Sequence, residues 1–199
     1  MRRILLILAL CTAAAVIISV RTPASRTLAR PQKGQQLELF GVPLKSATRD
    51  QLRQAFKQNG MLVIREDKNN WVDAYDARKV LEGSSEFIAG YVDATDRFAF
   101  AAYIFFAFKD TQLVGKVIDM VSLTYGAPTS QSGSYNMGPV SAEWDMGQGM
   151  GVMVCRGWPD TTTALIYRDA AAYRQMRAEM ASEQGAQEPE GAKSQEKVF

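Results

Sequence analysis

The chain reads as an α+β domain, with antiparallel sheets covered by three helices, behind an N-terminal membrane-spanning or signal segment. Three observations carry this. Residues 4–20 form an apolar run without a charge, behind Arg2 and Arg3. Three later stretches repeat apolar residues at helical spacing between start and stop signals. Between them lie short runs of β-branched, aromatic and alternating residues, separated by turn residues.

A positive start followed by an apolar run matches a secretory signal or an uncleaved anchor. The run is apolar all round, unlike a surface helix with one buried face. Signal cores span about 7–15 residues and spanning helices need roughly 17–25, so this run stands at the border. Small residues suit cleavage after Ala24 or Ala29. Against cleavage, Arg21, Arg26 and Arg30 follow the core, and positive charge there opposes translocation of that side. The balance favours an anchor. Cys11 follows Leu10, where a lipidation signal needs a small residue. Expected boundaries are residues 1–24 for the signal or anchor, 25–36 for a linker, 37–184 for one globular domain and 185–199 for a disordered tail. The expected location is the inner membrane, facing the periplasm, or the periplasm itself after cleavage. The absence of any Asn-X-Ser/Thr sequon agrees with a bacterial envelope.

Charge and composition exclude several functions. The chain has 23 basic and 21 acidic residues. Setting aside Arg2, Arg3, Arg21 and Arg26 leaves 19 basic against 21 acidic. A near-neutral domain lacks the basic stripe that phosphate backbones require, so no nucleic-acid partner is expected. Only Cys155 lies beyond the apolar run, so no disulfide forms within the domain. There is no histidine, which removes Ser-His and Cys-His activation and His-ligated metals.

In chain order, Leu37–Phe40 is a short strand. Thr48 and Gln51 form a capping-box pair ahead of Leu52, Ala55 and Phe56, and Gly60 stops that helix. Met61–Arg65 and Trp71–Tyr75 make one strand pair; Glu86–Val92 and Phe98–Phe108 make another. A second helix runs over Thr111–Tyr125, ended by Gly126 and Pro128. Thr129–Pro139 reads as a polar, Gly-rich mobile loop. Strands Val140–Asp145, Gly151–Arg156 and Thr163–Arg168 follow, with Gly147-Gln148-Gly149 turning the first pair. Asp169 caps the last helix, which extends to about Ser182. Each half thus gives a helix, a Gly stop and strands with a tryptophan (Trp71, Trp144), which suggests a duplicated helix-plus-meander unit.

The segment Phe98–Phe108 is apolar on both strand faces, the pattern of a central strand covered on both sides. As a helix it would reach only about 16 Å, too short for a membrane. By strict alternation Phe98, Phe100, Ile104, Phe106 and Phe108 share one face and are the candidate lining of a pocket for a small hydrophobic ligand. Asp73 with Asp76, and Asp93 with Asp96, are the candidate acidic pairs, and both read as solvated turn carboxylates. Cys155 reads as a small core residue, its neighbour Arg156 pointing to the opposite face. Met153 shares its face, whereas Met150 does not, which argues against a soft-metal site. Gly147, Gly149 and Gly151 sit between strands rather than opening a helix, so they hold no phosphate. No catalytic residue, cofactor or metal is expected.

A helix ending Tyr125-Gly126-Ala127-Pro128, a strand with Trp144 and a strand ending Leu165-Ile166-Tyr167 resemble, in element order, the small lipoproteins of outer-membrane β-barrel assembly. The resemblance spans about half the chain and lacks their lipidated cysteine, and no residue role carries over. The functional expectation is a non-enzymatic, exported or membrane-anchored envelope protein that binds another envelope protein. The alternatives are a binder of a small hydrophobic ligand and, third, a His-independent hydrolase built on the aspartate pairs.

Overall fold

The computed structural model describes residues 36–68, 70–106, 110–159 and 161–187. The expected segment 1–24, nearly all of the linker and the tail beyond residue 187 lie outside the described residues. The elements are β1 (Glu38–Leu39), β2 (Val42–Pro43), α1 (Arg49–Gln58), β3 (Leu62–Arg65), β4 (Val72–Asp76), β5 (Glu86–Val92), β6 (Arg97–Phe105), α2 (Leu113–Tyr125), β7 (Ser130–Ser134), β8 (Met137–Gly147), β9 (Met150–Arg156), β10 (Thr163–Asp169) and α3 (Ala170–Gln187). Among the described residues, no helix is long and apolar enough to cross a membrane.

Helix α1 begins on a complete capping box. The Thr48 hydroxyl accepts from the Gln51 N–H, and the Gln51 side chain accepts from the Thr48 N–H. Two backbone donors that would otherwise be orphaned are satisfied reciprocally, a contribution of about 1 kcal/mol. Gly60, at φ 86°, takes the left-handed conformation just past the helix end. Leu52, Ala55 and Phe56 form the buried stripe. Phe56 stands edge-on to Phe40, Tyr75 and Phe87, at ring separations of 5.9, 5.3 and 4.9 Å. Phe40 holds a φ of 52° in the tight turn between β1 and β2, and its contact with Phe56 offsets the cost of that backbone.

The eight longer strands form one antiparallel sheet in the order β3-β4-β5-β6-β10-β9-β8-β7. Chain neighbours pair throughout, except where β6 meets β10 at the centre. Each half is therefore a helix followed by a four-strand meander, and the two last strands join them. Helices α1 and α2 lie on one face, over a core that runs from Tyr75 and Phe87 through Tyr103 and Leu165 to Val154 and Trp144. The indole N–H of Trp144 donates to the Gly126 carbonyl at 2.8 Å, tying the end of α2 to β8.

Among the described residues, helix α3 is the one helix on the other face, packing chiefly on β5, β6 and β10. Its start is set by Asp169, whose Oδ1 accepts from the N–H groups of Ala171 and Ala172 while Oδ2 binds Lys45 at 2.8 Å. The helix runs to Gln187, past its expected end at Ser182.

One expectation is corrected. Residues 129–139 are not a mobile loop. Ser130–Ser134 pair with β8 as the edge strand β7, and β8 itself starts at Met137. An edge strand on a solvent-facing margin needs only backbone pairing, so no apolar pattern marks it.

Candidate functional site

The five residues expected to share a strand face do not do so. Between Phe98 and Phe100 the register against β5 shifts, because Tyr91 pairs with Phe98 and Gly90 with Phe100, leaving Ala99 as an extra residue. Such a bulge breaks the two-residue alternation. Phe98 consequently joins the core under α1, while Phe100 packs under α3, edge-on to Tyr173 at 5.5 Å. Ile104 stays on the α3 face and is half-buried. Phe106 lies past the strand end and is exposed. Phe108 lies outside the described residues.

Of the aspartate pairs, Asp73 and Asp76 separate, whereas Asp93 and Asp96 stay together. Asp73 is not a solvated turn residue. It is fully buried in β4, where Arg53 of α1 donates to both its oxygens at 2.7 Å. A buried charge is tolerated only when paired and hydrogen-bonded in this way. The pair with Asp73 raises the Arg53 guanidinium above its ordinary value. Asp76, three residues on, binds Arg78, whose hydrogen bonds lower its carboxyl to about 2. Asp93 and Asp96 flank a single turn and both face Arg49, at 3.7 and 3.2 Å. Arg49 is itself buried, with its guanidinium 4.9 Å over the Tyr91 ring. Asp73, Asp93 and Asp96 act as counter-ions for the arginines of α1, and Asp76 for Arg78. Among the described residues no group of His, Cys, Asp or Glu is arranged to hold a metal ion.

A candidate surface lies on the second face of the sheet, away from the strands on which α3 packs. Three cross-strand rows define it. One runs Phe100, Arg168, Gly151, Asp145; the next Ala102, Ile166, Met153, Glu143, Ser130; the third Ile104, Ala164, Cys155, Ser141, Ser132. Reading outward along the second and third rows, apolar residues give way to sulfur, then to carboxylate or hydroxyl. The residues on β9 and β10 are half-buried, whereas Glu143, Asp145, Ser130 and Ser132 are exposed. A hollow of about 230 Å³ opens here, with Met153 and Ile166 in its floor and Glu143, Asp145 and Arg168 around it.

Gly151 shapes this hollow. A glycine inside a strand weakens it and often marks the close approach of another group. A β-carbon there would stand 3.3 Å from the Trp144 carbonyl oxygen, a tight contact, so the glycine accommodates the close approach of that backbone. Arg168 is drawn toward α3, with its guanidinium 5.9 Å from the Tyr173 ring centre. Asp145 accepts from the Gly147 N–H at 2.9 Å, bracing the turn beside the hollow. Ser132 and Ser141 share a hydrogen bond of 3.1 Å. The Cys155 thiol is half-buried, and burial pushes its pKa above the ordinary value. A more open groove of about 430 Å³ lies between Phe40–Pro43 and the Gln51, Gln54 and Gln58 side of α1. It carries no charged side chain.

Arg156 holds the rim of the open face from behind. It is fully buried on the core side of β9 and donates to four backbone carbonyls: Thr111, Tyr135, Ser134 and Gly138, at 2.7 to 3.0 Å. One guanidinium thereby joins the entry to α2 and both arms of the β7–β8 hairpin. The sequence carried a signal for this: Met150, Val152, Val154 and Arg156 share one strand parity, so an arginine continues an otherwise buried row.

No family model matches the chain, and no curated protein does either. Among solved structures, it is similar to a DUF4309 family protein (YjgB) from Bacillus subtilis, at 15% identity and a TM-score of 0.41, over 67% of this chain and 87% of that one.

Proposed function

We propose that this chain is a non-enzymatic protein-binding module of the cell envelope, and that the uncovered half of its sheet is the docking face. The observation that carries the reading is the unequal covering of the sheet: among the described residues, two helices lie over one face and one helix, on β5, β6 and β10, over the other. That open area combines an apolar floor (Ile104, Ala164, Ile166, Met153) with an acidic and hydroxyl margin, the composition of a non-obligate interface. The partner that complements it presents a basic side chain beside apolar ones, the basic group meeting Glu143. The apolar run of residues 4–20 supports an exported or membrane-anchored location facing the periplasm. The repeated order of α1 with β3–β6 and α2 with β7–β10 supports a duplicated helix-plus-meander origin.

The test is photo-crosslinking in cells from a reactive residue placed at Ser141, with Leu123 on the exposed side of α2 as the control position. A defined envelope protein should crosslink from position 141 and not from 123, and Glu143→Arg should abolish that product. Equal crosslinking from both positions, or none from 141, would remove the reading. A binder of a small hydrophobic ligand draws less support, since Phe98 and Phe100 lie on opposite faces and share no pocket. A hydrolase built on the aspartates draws less again, since Asp73 is neutralised by Arg53.

A further inference from the structure

Among the described residues, Arg168 is the one basic side chain around the hollow on the second face of the sheet. It is half-buried and leans toward the Tyr173 ring, and among the described residues no carboxylate pairs with it. A guanidinium drawn partly out of water favours a planar anion that meets its N–H fork, above all a carboxylate. Glu143, on the opposite side of the hollow, likewise has no cation paired with it among the described residues. Asp145 is already engaged by the Gly147 N–H, so Glu143 is the carboxylate that concerns a ligand. Met153 pairs with both Ile166 and Glu143, and Arg168 stands two residues beyond Ile166 on β10. With strands about 4.8 Å apart and a rise of about 3.3 Å per residue, the Cα atoms of Arg168 and Glu143 are about 12 Å apart. The half-buried Met153 and Ile166 lie between them. At the Arg168 end the hollow is walled by Ala170, where α3 begins.

We propose that the hollow takes the C-terminal end of a partner's chain, with the terminal carboxylate on Arg168 and a basic side chain two residues earlier on Glu143. This rests on the second face being the docking surface, and adds which part of the partner docks there. The charges are complementary at both ends of the hollow, and the spacing suits a short extended segment. Residues i and i+2 of such a segment point the same way, so an apolar terminal side chain lies on Met153 and Ile166 while the basic one reaches Glu143. The start of α3 argues for a chain end. A segment that enters from the Glu143 side and runs past Arg168 meets Ala170 and Tyr173, whereas one that stops at Arg168 does not.

The test is NMR titration of the full-length chain in detergent with an N-acetylated tetrapeptide, alanine-lysine-serine-leucine, as the free acid and as the C-terminal amide. The free acid should shift the Gly151 and Met153 amides, and the amide form should bind about tenfold more weakly or worse. Arg168→Gln should reduce the free acid to the level of the amide form, with the Leu52 and Phe56 signals unchanged to show that the variant is folded. Arg168→Lys, which keeps the charge but not the fork, should restore only part of the difference. Equal binding of acid and amide overturns the proposal, and so does binding of neither. Free lysine binding as tightly as the peptide also overturns it, in favour of a small-molecule site. Crosslinking from position 141 that survives Arg168→Gln but not Glu143→Arg would remove the terminal carboxylate and leave the docking face standing. Absence of crosslinking in the native chain would remove both.

Discussion

Arg53 on α1 and Asp73 on β4 are joined by two hydrogen bonds of 2.7 Å, and the carboxylate is wholly shielded from solvent. The pair is the polar centre of the first half of the fold. Asp67, in the loop after β3, is drawn into the same group: its carbonyl accepts from Arg53, and its N–H reaches Asp73 at 3.4 Å. Removing one partner strands the other as an uncompensated buried charge, which costs about 3–5 kcal/mol. Asp73→Ala should therefore lower unfolding free energy by that amount in urea titration, and Arg53→Met by a similar amount. The double variant Arg53→Met with Asp73→Leu should recover most of the loss. A single-variant loss below about 1 kcal/mol would mean that water reaches the pair.

Asp169 makes stability depend on acidity. Burial by itself would raise its carboxyl, but the Lys45 ammonium and the N–H groups of Ala172 and Ala171 outweigh that and hold it below the ordinary range. A carboxylate with a depressed folded value stabilises above its unfolded value, about 3.9, and that stabilisation is lost as pH falls through the folded value. Asp169→Asn keeps a good helix cap and removes the titration. Its unfolding free energy should fall less steeply than that of the native chain as pH is lowered from about 4. Parallel slopes in the two proteins would show that Asp169 is not an acid-sensitive contact.

Gly90 allows α3 to seat. A β-carbon there would overlap the Phe100 ring and stand 3.0 Å from the Met176 sulfur. Gly90→Ala should force the ring and the helix outward, at a cost of about 1–3 kcal/mol. The signature is faster hydrogen exchange along α3 with that under α1 unchanged. Phe100→Leu in the same chain should relieve part of the loss.

Arg156 should resist conservative replacement. A lysine ammonium is a point charge without the planar fork, and it cannot meet four carbonyls in these directions. Arg156→Lys should free the Ser134, Tyr135 and Gly138 carbonyls in part, and amides of Ser130–Ser134 should exchange faster. A global loss of about 2 kcal/mol or more is expected for Arg156→Ala. If β7 exchanges at the native rate in both variants, the hairpin is held by its pairing with β8 alone.

Gly151→Val tests the proposed docking face. The substitution fills the hollow on the exposed side and replaces a poor strand residue with a good one. Its β-carbon would press on the Trp144 carbonyl oxygen at 3.3 Å, so stability should fall by about 1–3 kcal/mol, and crosslinking from position 141 should fall as well. Undiminished crosslinking alongside loss by Glu143→Arg would mean that the partner uses the acidic margin and not the hollow.

The amino-acid sequence by itself determined the features that close within a few residues. The Thr48–Gln51 capping box, the Gly60 stop, the Gly147-Gln148-Gly149 turn and the Asp169 cap all involve neighbours in the chain, and local geometry decides them. Apolar runs likewise marked the strands that are buried. Tertiary structure alone decided what depends on distant partners. Asp73 reads as a turn carboxylate until α1 folds over β4 and brings Arg53 to it. Phe98 and Phe100 read as one face until pairing with β5 inserts Ala99 between them. Ser130–Ser134 read as a loop until β8 offers a backbone to pair with. The second face of the sheet is of the same kind: α3, starting from Asp169 at the end of β10, packs back toward β5, so that among the described residues no helix lies over that face of β7, β8 and β9, an outcome of packing that no stretch of residues carries alone.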